Sequence, residues 1–334
     1  MSLATNYLGL ELKNPLVASA SPLNSKLDNI RRLEDAGAAA IVLPSLFQEQ
    51  IEAEAETLAS RVDAYAESSP EATSYFPAVV SGPYGVRPER YLELVRRAKD
   101  AVSIPIIASL NGSSRAGWID HARLIEQAGA AALELNMYHV PTDLMESGQD
   151  VETRYTEIVQ TVCGSMTLPV AVKLTPFLSS LGHFAARLVE HGADGLVLFN
   201  RILEPDIDLL HMKLTDRLEL SAPDETRLPL LWIAILAGRT KASLAASGGV
   251  SEVNDVIKYL LAGADVVMTT SALLRYEIGY MTMLVSGLQR WMDEREITSL
   301  GDMRGMMNWD RSRDRLAYTR ANYLRILESY VDAA

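Results

Sequence analysis

Four stretches of the chain repeat one pattern: LEDAGAAAIVL (33–43), IEQAGAAALELN (125–136), VEHGADGLVLFN (189–200) and LLAGADVVMTT (260–270). Each closes a helical run, places a glycine at the stop (Gly37, Gly129, Gly192, Gly263) and then enters a short apolar strand. Glycine suits that stop because the position after a helix often takes a left-handed conformation. The residues before it carry helical apolar spacing, as in Trp118-Ile119, Ala122, Leu124-Ile125 and Ala128.

A second set of apolar runs interleaves with the first: NPLVASA (14–20), IPIIASL (104–110), LPVAVKL (168–174) and ASLAASGG (242–249). Together they predict strands over 16–20, 39–43, 104–109, 132–136, 169–173, 195–199, 243–247 and 265–269. Near-continuous apolar strands belong to a parallel sheet covered on both faces. Eight strand–helix units predict an α/β fold of the closed (β/α)8 TIM barrel type. No Gly-x-Gly-x-x-Gly fingerprint follows any strand, which argues against an open dinucleotide-binding sheet.

The 334 residues suit one such barrel with insertions. Two connections exceed a single helix. Residues 44–103, after the second predicted strand, include a strongly acidic stretch whose plain reading is a solvated helix; residues 200–242 follow the sixth. Both leave from strand C-terminal ends, the face where barrel active sites sit. We read 1–300 as the barrel and 301–334 as a helical extension of the same domain.

Composition narrows the function. The 43 acidic against 31 basic residues give a net charge of −12, which argues against nucleic acid as the main partner. No apolar run reaches the roughly 18 residues of a membrane span, and the start MSLATNYLGLELKNP lacks the basic and apolar regions of a signal peptide. The expectation is a cytoplasmic protein without membrane contact. The single cysteine, Cys163, permits no internal disulfide and no cysteine-held cluster. Histidines and carboxylates at the strand ends show no metal-binding spacing, so no metal is expected.

The barrel gives each strand's last residues a task. The seventh strand ends Ser247-Gly248-Gly249 and the eighth runs into Thr269-Thr270-Ser271. Loops after these two strands are the usual phosphate site of the fold. Lys173 near the end of the fifth points into the mouth, where a buried ammonium needs an anion or a polarised group; the alternative is a lysine snorkelling at the rim. Asn111, Asn136 and Asn200 end the third, fourth and sixth strands and can hydrogen-bond a heterocycle. His139 follows Asn136 by three residues. It is placed either to act as a general base or to bond loop backbone.

These residues resemble the dihydroorotate dehydrogenase family of FMN-binding barrels, above all its soluble class 1 members. The likeness runs over most of the chain and is carried by ELN (134–136), AVKL (171–174), Asn200, SGGV (247–250) and TTSAL (269–273). It implies FMN across the mouth, with Ala18, Ser19, Ala20 and Ser21 lining it after the first strand. Ser247, Gly248, Gly249, Thr270 and Ser271 would surround the phosphate, and Lys173 would lie beside the ring. It implies that Asn111 and Asn136 contact ring or substrate and that Asn200 binds substrate. Arg201, which stands where the family carries a serine, is a substrate-binding candidate on its own chemistry, since a guanidinium can answer a carboxylate.

The departures lie on the substrate side. Pro44 stands where the family carries a lysine. Asn136-Met137-Tyr138-His139-Val140-Pro141 replaces Asn-Leu-Ser-Cys-Pro-Asn, so the family's base maps to His139 or to none. The expectation is therefore an FMN-dependent oxidoreductase taking hydride from a small planar anionic substrate, with dihydroorotate as the named guess and pyrimidine biosynthesis as its setting. A flavin-free phosphate-binding lyase or aldolase using Lys173, and a flavoprotein with another substrate or no catalysis, stand as alternatives. The resemblance also implies a homodimer, and an electron-transfer partner protein is one of several open acceptors.

Overall fold

The computed structural model describes residues 1–47, 88–111, 118–201, 205–215, 219–320 and 322–331. The chain opens with an antiparallel hairpin, β1 (Thr5–Tyr7) and β2 (Leu10–Leu12). Eight parallel strands follow: β3 (Leu16–Ala18), β4 (Ala40–Phe47), β5 (Ile106–Asn111), β6 (Ala132–Asn136), β7 (Val170–Leu174), β8 (Gly195–Leu198), β11 (Ser243–Ser247) and β12 (Val266–Thr269). They close into a barrel in chain order. This is a (β/α)8 TIM barrel. Its strands coincide with the eight expected ones to within a few residues, the largest difference being β4, which runs on to Phe47. Gly37, Gly129, Gly192 and Gly263 all have φ between +91° and +119°, the left-handed stop that the repeat predicts.

Helices cover the outside. They are α1 (Leu27–Asp35), α2 (Pro88–Ala101), α3 (Trp118–Ala128), α4 (Gly148–Cys163), α5 (Leu181–Glu190), α6 (Arg227–Leu236) and α7 (Val253–Ala262). After β12 come α8 (Ser271–Tyr276) and α9 (Tyr280–Asp293). The tail holds α10 (Leu300–Met303), a 3-10 turn at Arg315–Tyr318 and α11 (Asn322–Val331). The long connection after β8 carries a second hairpin, β9 (Asp206–Asp208) and β10 (Lys213–Thr215). The acidic stretch after β4 lies at 48–87, outside the described residues. No described helix is long and apolar enough to cross a membrane.

Side chains alternate between two cores. Outward residues of the strands pack under the helices. Inward residues, among them Val17, Ala40, Ala132, Ala171, Val197 and Ala245, meet Tyr7, Leu8 and Leu12 of the hairpin. The hairpin turn Leu8-Gly9 has positive φ at both positions, as a type I′ turn requires. It drives Leu8 so close to β8 that a Cβ at Gly195 would lie 2.5 Å from it. The Leu8 N–H donates to Ser243 Oγ and the Thr5 hydroxyl to the Asp265 carbonyl, fixing the hairpin as a plug in the barrel's base.

Pro44 has a structural consequence. It lies in the irregular stretch between Val42 and Ser45, where the ladder from β4 to β5 shifts register, and proline supplies no ladder N–H. The gap is filled by Tyr91 of α2. Its hydroxyl accepts from the Ser109 N–H at 2.7 Å and donates to the Ser109 carbonyl at 3.1 Å. Both backbone groups are thereby paired inside the core, as buried polar groups must be.

The repeat also carries a staple. Glu34 and Glu126 each sit three residues before the glycine stop, and each reaches the start of a later strand. Glu34 accepts from the N–H and hydroxyl of Ser103, and Glu126 from those of Thr167. The Thr167 hydroxyl, and next its N–H, hold the Glu126 carboxyl below its ordinary range. A depressed folded-state pKa stabilises the fold above the ordinary carboxyl value of about 4.3, and that contribution is lost as pH falls through the folded-state value. Thr167→Val is therefore expected to lower the thermal midpoint at pH 7 and to narrow its gap from the unaltered chain as pH drops below about 4. Parallel melting curves from pH 7 to pH 3 would remove the staple from the stability argument.

Candidate active site

The C-terminal ends of the strands open into a cavity of about 670 Å3, a size suited to a cofactor or drug-sized ligand. Ladder bonds running past the strand ends position its rim. The Ser19 N–H donates to the Thr269 carbonyl, the Phe199 N–H to the Ser247 carbonyl, and the Asn200 N–H to the Leu174 carbonyl. Asn24, buried after β3, donates through one amide to the carbonyls of Ser19 and Val42, which holds the first loop in place.

Ser19, Ala20, Ser21, Asn136, Lys173, Asn200, Arg201, Ser247, Gly248, Gly249, Thr270 and Ser271 all line this cavity. The Asn200 amide donates to Asn136 Oδ1 at 2.8 Å across the rim. Asn111 ends β5 in register with Asn136. It is buried and is not among the described residues that line the cavity. Ala18 is likewise buried; its methyl belongs to the outer core beneath the helices, because alternation along β3 turns Val17 and Ser19 inward.

One side of the cavity is built for close backbone approach. Gly248 and Gly249 have φ of +107° and +70°. A Cβ at Gly249 would lie 2.6 Å from the Thr226 nitrogen and 3.0 Å from the Ala222 carbonyl. The Thr270 hydroxyl donates to the Ser19 carbonyl. The Ser271 hydroxyl accepts from the Ser221 N–H at 3.1 Å and pairs with the Ser221 hydroxyl at 2.9 Å. Two glycines in left-handed conformation, flanked by hydroxyls, form a cradle of the kind that takes a phosphate. Ser221 and Thr226 are contributors that sequence reasoning missed, since they lie in a polar connection with no motif of its own.

Lys173, 6% exposed, also lines the cavity. Its ammonium lies 3.4 Å from Glu134 Oε1 and 3.4 Å from Ser19 Oγ. Glu134 is fully buried and was also missed, although alternation from Asn136 within ELN places it inward. Arg201 at the rim faces Glu225 at 3.5 Å. Cys163 ends α4 beside Gly192, away from the cavity-lining residues. Burial pushes its thiol up to about 12, which keeps it protonated and unreactive.

His139 is placed differently from the others. It lies in the loop after β6, half-buried, with Nε2 3.7 Å from Glu146 Oε2; Glu146 in turn takes a 2.6 Å hydrogen bond from Arg154. It is not among the described residues lining the cavity. Among the described residues no group of three or more His, Cys, Asp or Glu is arranged to hold a metal ion.

Comparison with known proteins agrees with this geometry. The sequence profile of dihydroorotate dehydrogenase matches residues 86–292. The chain is similar to the catalytic subunit of dihydroorotate dehydrogenase B (NAD(+)) from Listeria monocytogenes, at 31% identity over 209 residues, 60% of this chain and 67% of the relative. The Pyrococcus abyssi protein of the same name is 26% identical over 317 residues, 91% of this chain and 98% of the relative. A subunit of the NAD-dependent dihydropyrimidine dehydrogenase of Escherichia coli K12 is 25% identical over 345 residues, 96% and 82% of the two chains.

Proposed function

The chain belongs to the dihydroorotate dehydrogenase family, and from that premise we propose that it is an FMN-dependent dehydrogenase whose substrate is a small planar anionic ring, dihydroorotate by name. Membership makes it a flavin-type oxidoreductase acting on CH–CH groups. The observation that carries the FMN reading is the pairing of a two-glycine cradle with a buried lysine in one cavity. The donor set fits the group: Gly248, Gly249, Thr270 and Ser271 would hold the phosphate, with Ser19, Ala20 and Lys173 beside the ring.

When bound, the flavin supplies acceptance of a hydride, so that the substrate leaves with a carbon–carbon double bond once a base has taken the neighbouring proton. Asn136 and Asn200, already bonded to each other, present amides to a ring that carries both donors and acceptors. Arg201 answers a carboxylate if it leaves Glu225. His139 takes the proton in this reading, through a swing of its ring away from Glu146. Lys173 held by Glu134 is an arrangement for a fixed charge, which favours the flavin reading over a Schiff-base lyase.

A second reading keeps the flavin and changes the substrate to a dihydropyrimidine without a carboxylate. Pro44 in place of the family's lysine, the Arg201–Glu225 pair and the dihydropyrimidine dehydrogenase relative favour it. As for the acceptor, a separate electron-transfer protein suits relatives that are themselves named as subunits, and a homodimer suits the family. The protein is expected to purify yellow, to release FMN on denaturation, and to bleach anaerobically with dihydroorotate. His139→Ala is expected to slow that bleaching by about a hundredfold. A colourless protein that takes up no FMN overturns the reading; bleaching only by dihydrouracil selects the second substrate.

A further inference from the structure

Inside the barrel, below the cavity, two polar groups are left over. Glu134 is fully buried, and its Oε2 has no hydrogen-bond partner among the described residues. Tyr7, from the hairpin plug, is buried as well, and its hydroxyl also lacks one. A carboxylate oxygen without a hydrogen-bond partner inside a barrel is costly, so the retention of this side chain calls for an explanation. The remaining Glu134 oxygen gives it: Oε1 lies 3.4 Å from Lys173 Nζ.

The register shows the layering. On β6 the inward residues are Ala132, Glu134 and Asn136; on β7 they are Ala171 and Lys173. Asn136 pairs with Lys173 at the level of the cavity, and Glu134 pairs with Ala171 one layer deeper. The small side chain of Ala171 leaves the space between Glu134 and the lysine free of bulk. Glu134 does not line the cavity; Lys173 does. A buried anion therefore stands behind Lys173, whose ammonium faces the cavity.

We propose that Glu134 is a positioning residue. It anchors the Lys173 ammonium and partly cancels its field, and so sets how strongly the site favours reduced over oxidised flavin. Tyr7 contributes from below. Burial, and next the nearby charge of Glu134, push its phenol well above its ordinary range, so it stays a neutral donor facing the same interior. The proposal rests on the FMN reading. Reduction adds negative charge to the ring, and an uncompensated Lys173 would attract that charge more strongly than a compensated one.

Glu134→Gln keeps the shape of the side chain and removes its charge. It is expected to shift the reduced-to-oxidised ratio of bound flavin at least tenfold toward reduced, which is about +30 mV for a two-electron couple. Equilibration against redox dyes under anaerobic conditions measures this. In a Lys173→Met background the same substitution is expected to shift the potential by less than a third as much, because a buried carboxylate stripped of its counter-charge takes up a proton and leaves glutamine no charge to remove. If Glu134→Gln does not fold, Glu134→Asp, which retains the charge one methylene further back, is expected to shift the potential in the same direction by a smaller amount. A protein that never binds FMN defeats the function reading. Bound flavin with an unchanged or lowered potential, or an equal shift with and without Lys173, overturns the role of Glu134.

Discussion

A Gly249→Ala protein is expected to bind FMN about a hundredfold more weakly than the unaltered chain, or worse. Two costs combine. Alanine at a φ of +70° pays roughly 1–2 kcal/mol for the left-handed backbone. Its Cβ would also lie 2.6 Å from the Thr226 nitrogen, so the segment that closes the cradle must retreat. Each charge-assisted hydrogen bond lost from a phosphate contributes about 1.5–3 kcal/mol, and 1.4 kcal/mol is a factor of ten. Titration of the stripped protein with FMN, followed by quenching of flavin fluorescence, reads the affinity directly. A loss smaller than tenfold would move the phosphate site elsewhere.

Lys173→Met is expected to slow anaerobic flavin reduction by about a thousandfold while the protein remains yellow. A preorganised charge at a site of developing negative charge contributes roughly 2.7–4 kcal/mol to the transition state. The substitution also leaves Glu134 buried without a counter-charge, a change that costs about 3–5 kcal/mol in stability. The double change Lys173→Met with Glu134→Gln separates the two effects: it should restore much of the melting temperature and none of the rate. Stopped-flow bleaching near the flavin band measures the rate. A double variant with recovered rate would show that Lys173 serves only to neutralise Glu134.

Much of this architecture is legible in the chain because its repeat states one rule several times. Gly37, Gly129, Gly192 and Gly263 mark helix ends that only a left-handed residue fills well, and each is followed by a strand of the barrel. Strand-end residues such as Lys173 and Asn200 then fall at the mouth by alternation alone. What alternation does not convey is where a side chain turns once a loop begins. His139 lies three residues past β6, and its ring is taken up by Glu146, seven residues further on. Ala18 was expected at the flavin from its neighbourhood, yet parity along β3 sends its methyl outward. Pro44 marks a departure in the sequence. That its irregular ladder is completed by a tyrosine from α2 is a long-range fact that no local pattern holds. Glu134 was within reach, being two residues before Asn136 in a strand, but a carboxylate inside a barrel is easily passed over when apolar interiors are the rule.

The hairpin at the start of the chain gives the barrel the character of a vessel stoppered at one end. Tyr7 and Leu8 fill the base, and Ser243 and Asp265 hold them there. Among the described residues, the cavity at the strand C-terminal ends lies at the end of the barrel opposite this plug. In the proposed reaction a small electron acceptor would share this mouth with the substrate and wait for the oxidised product to leave, whereas a protein acceptor need not enter it. For a small acceptor such a shape would favour a double-displacement order, and an occupying substrate would shield a reduced flavin from stray oxidants such as dioxygen.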